Sequence, residues 1–349
     1  MKIEKLTLNS ELENYFSIII KELKFLKPSS IVVYGSYGRN EGAWIVKKSK
    51  LLPYNDFDII VISEKNLSEK HLKKLSNNIQ SKINIKWIDL KLIKRREVKE
   101  IYKKTIFNYD LKFGSTVIYG DKNILNSINI KSSDKININD LEVLFNTRLW
   151  TFYGSYEKLV NLNSEDSMFF KYQMAKAILA SVDSFLVRNN IYHHKYEKKV
   201  QLFLDHSSGD EKLVKWALKE KMRPTSKQLK DKEAIELLEQ TKKIFLDEFF
   251  ISLSLVYKQK IISIENIIQC RNSFSNKLKY FLKYIFKIDR NIYKKNSVKI
   301  LELALIDINN EKKLHMIEPI IKESLNTLDL RLTDLRSFKK DVSIKRFNL

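Results

Sequence analysis

At 349 residues, with 44% hydrophobic and 30% charged side chains, the chain is long enough for two domains with separate cores, and its composition excludes a disordered or fibrous protein. A net charge of +22 points to anionic partners, nucleoside triphosphates, nucleic acid or an anionic membrane surface, without choosing among them. Only 11 of the 64 basic residues are Arg, and Lys is spread along predicted helices, so solvated helix faces account for most of that charge.

The lone Cys270 rules out an internal disulfide framework and a Cys-based zinc site. Met1 to Lys5 lacks the apolar run of a signal peptide, and the most apolar window, Phe245 to Tyr257, carries Asp247 and Glu248 and is too short to span a bilayer. A cytoplasmic protein without a membrane span is therefore expected.

Ser10 with Glu13 three residues on reads as a capping box, and Leu12, Tyr15, Phe16, Ile19, Ile20 and Leu23 repeat at helical spacing, which predicts a first helix ended by Pro28. Ile31 to Tyr34 is a short apolar run stopped by Gly35, the pattern of a buried strand. Phe57 to Ile62 and Ile83 to Ile93 read as further strands, with a helix over Leu67 to Ile79 between them. After about Asp121 helical periodicity takes over, as in Met174, Ala177, Ile178, Ser181, Val182 and Phe185. The expected organisation is an α/β domain over residues 1–126 and a mostly α-helical domain over 138–349, with a break near 222–230 that would divide the latter into two subdomains.

The chemistry-bearing segments lie in the first part. Side chains two apart on a strand share a face, so Asp56 and Asp58 project together at the head of a strand whose continuation is apolar. Two carboxylates side by side repel each other unless cations lie between them, and hard oxygen ligands select Mg²⁺ or Mn²⁺. Gly35 and Ser36 follow a buried strand and open a helix, where unpaired backbone N–H groups and the helix dipole favour phosphate oxygens. Ser36 adds a hydroxyl donor, and Arg39, about one turn on, is placed to reach a terminal phosphate or to stand as an ordinary exposed helix residue.

An apolar strand ending in Gly35-Ser36, then Asp56-Phe57-Asp58 opening an apolar strand, then a lone Asp89 in Ile88-Asp89-Leu90, resembles the nucleotidyltransferase signature of the DNA polymerase beta superfamily over about residues 25 to 120. The resemblance implies a small mixed sheet flanked by helices and a site holding two Mg²⁺ or Mn²⁺ ions on Asp56, Asp58 and Asp89. It implies transfer of a nucleoside monophosphate, AMP from ATP foremost, to a hydroxyl of a small-molecule or protein acceptor. A nucleic-acid terminal transferase or polymerase of the same superfamily would use the same acids, and a non-catalytic nucleotide-binding module is the alternative from another class.

The nineteen residues between Ser36 and Asp56 exceed the usual family gap, so Glu41 to Tyr54 should form an inserted loop or hairpin. Asn108 to Ser115 and Val117 to Asp121 read either as the closing segment of small-substrate relatives or as a helix stop and a short strand with a tight turn. Lys171, Tyr172 and Lys176 lie on a predicted helix where relatives often place triphosphate contacts, and Lys176 is the candidate carried forward. Arg188 and His193 match the Arg-x4-His spacing of HEPN-type RNases, a spacing common enough by chance that both are read as structural.

Overall fold

A continuous apolar run and a glycine stop make Ser30–Tyr34 (β1) a fully buried strand, and in the computed structural model of the chain it lies inside a four-stranded sheet. The structure describes residues 2–347 apart from 48–49, 86, 133, 156–158, 274–275, 279, 281–282, 284–288, 290, 308–310 and 332–333. Lys2–Leu23 (α1) precedes β1, and Gly35–Gly38 (α2) follows it as a single helical turn. Trp44–Lys47 (β2) and Lys50–Pro53 (β3) pair antiparallel within the long Ser36 to Asp56 interval, residues 48–49 lying outside the described residues.

Phe57–Ile62 (β4) runs antiparallel to β1 with Tyr34 opposite Asp58. Glu69–Ile83 (α3) then crosses over to Ile88–Ile93 (β5), which lies parallel to β4 with Asp58 beside Asp89. Arg95–Lys99 (α4) and Ile106–Phe113 (α5) lead to Thr116–Gly120 (β6), antiparallel to the free side of β1, giving the order β5-β4-β1-β6.

The sheet's alternation sorts its faces. Ile31, Val33, Phe57, Ile59 and Val61 bury against Leu12, Ile19 and Leu23 of α1 and Ile79 and Ile83 of α3. Truncating a residue as deep in this layer as Phe57 would cost about 3–5 kcal/mol. Tyr34, Asp58 and Asp89, in register across three strands, are thereby turned to the opposite face.

Two element boundaries differ from the sequence pattern. Where Ser10 and Glu13 suggest a helix start, α1 already runs from Lys2, because Ile3 to Asn9 contains no Gly or Pro to interrupt it. The apolar Ile83 and Ile85 suggest strand, yet Ile83 closes α3, Asn84 caps it in the left-handed region at φ 52°, and β5 begins only at Ile88. Lys86, inside the expected strand, is outside the described residues.

Contacts divide the chain into two units, Met1–Asn137 with Asn189–Thr225, and Ile138–Arg188 with Ser226–Leu349. The first carries the sheet and also Tyr196–His206 (α8) and Glu211–Met222 (α9), a segment whose helical pattern alone suggests membership of the second domain. The second is mostly helical: Asp140–Asn146 (α6), Ser164–Arg188 (α7) and Asp231–Tyr257 (α10) build a core around Phe145, Phe245 and Phe249. The middle of α7 is buried nearly all round, so Ser184 finds the Ser252 hydroxyl at 2.6 Å and Arg188 grips both oxygens of Glu248 at 2.7 and 2.8 Å. No helix among the described residues is long and apolar enough to cross a membrane.

Candidate active site

Three pieces of chain far apart in sequence meet on the face of the sheet opposite α1 and α3. β4 supplies Asp58, and Asp56 stands two residues earlier at its entrance. β5 supplies Asp89, beside Asp58 in the parallel register, and Lys91, two residues on and on the same face. The end of β1 supplies Tyr34 and the Gly35-Ser36 turn.

Gly35 is what lets the turn meet the acid. It takes φ +67°, a conformation that L side chains resist, and a Cβ placed there would lie 2.1 Å from Asp58 Oδ2. Ser36 is buried, and its Oγ accepts a 2.5 Å hydrogen bond from Asn55 Nδ2, which leaves the hydroxyl proton to be donated. Asn55 Oδ1 accepts the Ala43 N–H at 2.8 Å, so one amide ties the Gly-Ser turn, the entrance to β2 and the head of β4 together. Because α2 is one turn long it has little macrodipole, and its leading backbone N–H groups carry whatever anion affinity the turn has.

Tyr34 stands among the acids. Its hydroxyl donates to Asp89 Oδ2 at 2.8 Å. Burial first, and then the charges of Asp58, Asp89 and Asp56, push its phenol far above its usual range, so it stays a donor at all working pH. Lys91 Nζ meets the same Asp89 oxygen at 3.2 Å and lies 5.5 Å from the ring centres of both Tyr34 and Phe107.

A hard divalent ion suits three carboxylates in donor chemistry. In the arrangement described, however, no three His, Cys, Asp or Glu side chains among the described residues gather closely enough to hold a metal ion. Asp89 bonds instead to Tyr34 and Lys91, both through Oδ2.

No protein-family model matches the chain, and neither a curated protein nor a solved structure matches it.

Arg39 is placed differently from an exposed or phosphate-facing helix residue. Its side chain is buried, with Nε 3.2 Å from Glu41 and Nη1 3.1 Å from Asp110 on α5, and its guanidinium stacks 5.0 Å from the Tyr196 ring centre. Glu41 Oε1 accepts the Tyr196 N–H at 2.8 Å, and Asp110 Oδ1 accepts the Tyr192 hydroxyl at 3.1 Å. The buried Lys199 then donates to Tyr192 Oη at 2.7 Å. Burial is the main reason that the Glu41 carboxyl lies above its usual range, with Arg39 and Lys199 opposing it. This clasp fastens residues 192–199 to the segment just after the Gly-Ser turn. Beside it His193 and His194 stack at 4.4 Å, and burial, then the neighbouring His193, pushes His194 down to about 4.

The remaining candidates divide between the two units. Lys176 lies on α7 in the second unit, its ammonium 5.1 Å from the Tyr172 ring centre, and Lys171 donates to the Lys227 carbonyl at 2.9 Å. Asn108 to Ser115 and Val117 to Asp121 form α5 with its stop and β6, with Asp110 committed to the clasp. Sequence patterns passed over Tyr34, Lys91 and Asn55. The period of two along β5 was a usable signal for Lys91, since it places Lys91 on the face of Asp89.

Proposed function

We propose that the chain is a nucleotidyltransferase that moves a nucleoside monophosphate, AMP foremost, from a triphosphate to an acceptor hydroxyl on a small molecule or protein. The observation that carries this reading is the meeting of Asp58 with Asp89 across β4 and β5 while Gly35 lies against the Asp58 carboxylate. A glycine turn and two carboxylates are thus brought together by segments more than twenty residues apart in sequence. Such a juxtaposition is what in-line displacement at phosphorus needs.

In this reading Asp56 and Asp58 hold Mg²⁺ or Mn²⁺, with Asp89 completing the set on the acceptor side. Divalent ions bound there supply neutralisation of phosphate charge and acidification of the acceptor. The Ser36 hydroxyl and the backbone N–H groups after Gly35 hold phosphate oxygens. The acceptor oxygen bonds to the α-phosphorus, the bond to the bridging oxygen breaks, and pyrophosphate leaves, the hydroxyl proton passing to a carboxylate or to solvent.

The test incubates the whole chain with each labelled triphosphate, Mg²⁺ and a metabolite or protein extract, and follows pyrophosphate release and label transfer. Release from ATP that falls at least a hundredfold in Asp58→Asn and in Asp56→Asn supports the reading. Absence of both nucleotide binding and pyrophosphate release in the wild type would sink it.

A further inference from the structure

Lys91 is an unusual neighbour for a metal-binding acid. Its stem lies on the site face of β5, and its ammonium is held from three sides, by Asp89 Oδ2 at 3.2 Å and by the rings of Tyr34 and Phe107 at 5.5 Å each. Tyr34 Oη bonds to that same oxygen at 2.8 Å, and the two rings meet edge to face at 5.6 Å. Asp89 therefore already has a cation and a neutral donor of its own, and both use one carboxylate oxygen. That engagement accompanies the failure of three acids to gather among the described residues.

We infer that Lys91 is a built-in counter-cation of Asp89, which a divalent ion must displace before Asp89 joins Asp56 and Asp58. This rests on the reading of those acids as a metal set. The physics is a competition for one carboxylate. An ammonium held by an ion pair and two ring faces neutralises Asp89 in the absence of metal, and a divalent ion gains that ligand only by removing the ammonium. With both side chains about half exposed, at 49% and 47%, solvent screens the pair, so the competition is modest and reversible. Lys91 thus sets a threshold of metal concentration, and its displaced ammonium is free to meet an incoming phosphate.

The experiment titrates Mn²⁺ into the full chain by calorimetry and by the paramagnetic resonance of free Mn²⁺, without nucleotide and without any activity readout. Lys91→Met, which keeps the stem and removes the charge, should tighten Mn²⁺ binding about tenfold, whereas Lys91→Arg should stay within about threefold of the wild type. In an Asp89→Asn background the gain from Lys91→Met should vanish. Lys91→Gln serves as a second charge-removing variant, since the position is half exposed and tolerates either.

Equal Mn²⁺ affinity in wild type, Lys91→Met and Lys91→Gln would overturn the inference while leaving the acids as a metal set. A gain that persists without Asp89 would also overturn it, because the effect would then be general electrostatics. No Mn²⁺ binding by any form would overturn both this inference and the reading on which it rests.

Discussion

Gly35 and Gly38 lie three residues apart in one turn, yet substituting each should have a different consequence. A Cβ at Gly35 meets the tip of the Asp58 side chain at 2.1 Å, a group that can swing away, and holds a positive φ that costs roughly 1–2 kcal/mol for an L residue. A Cβ at Gly38 meets the Val33 carbonyl oxygen at 2.4 Å, which belongs to a buried strand and has nowhere to go. Gly35→Ala should therefore fold with a loss of about 1–2 kcal/mol in denaturant melts while losing most of its Mg-ATP affinity. Gly38→Ala should lose considerably more stability. If Gly35→Ala binds Mg-ATP like the wild type, the turn is not a phosphate cradle.

At the scale of elements, the clasp joining α2, α5 and α8 is the device that sequence patterns did not disclose. Arg39 lies 71 residues from Asp110, and Tyr196, which stacks on Arg39, and Tyr192, which bonds to Asp110, enter from a segment that follows α7 in sequence. Pairing across such intervals depends on packing, which periodicity does not encode. By contrast β1 and β4 were legible because apolar runs end at Gly35 and begin at Asp56-Phe57-Asp58. The face shared by Asp56 and Asp58 followed from the strand's period alone. Asp89 was legible as an acid on a strand, but its register beside Asp58 depended on where α3 ended, and that boundary had been hidden by Ile83 and Ile85.

Two measurements probe the clasp. Arg39→Met leaves the buried Glu41 and the half-buried Asp110 without their cation, and should cost about 3–5 kcal/mol in equilibrium unfolding, whereas an exposed arginine would cost almost nothing. His194 gives the pH signature. Its folded-state value is pushed down to about 4, so its neutral form is favoured in the folded chain. That contribution is complete above about pH 6.5 and is lost as pH falls through about 4. His194→Gln should accordingly narrow the gap between unfolding midpoints measured at pH 7.5 and pH 4.5. An unchanged gap would place the imidazole in solvent.

For the whole molecule, the contact division makes residues 189–225 part of the sheet-bearing unit, although 51 residues of the other unit intervene at 138–188. A fragment ending at residue 137 should unfold without a cooperative transition, since it lacks Tyr192, Tyr196 and Lys199 while retaining Arg39, Glu41 and Asp110. Joining residue 137 to residue 189 through a flexible Gly/Ser linker and ending at 225 should restore a single sharp transition by calorimetry. Sharp melting of the shorter fragment alone would show that the two helices are dispensable. The same interleaving governs how the chain is made. Neither unit is complete when the other begins, since the ribosome delivers α7 before α8 and α9, and α10 after all three. At a synthesis rate of roughly 5–20 residues per second, α7 waits about 3–14 s for the partner helix that covers it. A nascent chain with so apolar a helix uncovered for that long is a natural client for a holding chaperone, and slow translation across residues 189–257 should lower the soluble yield.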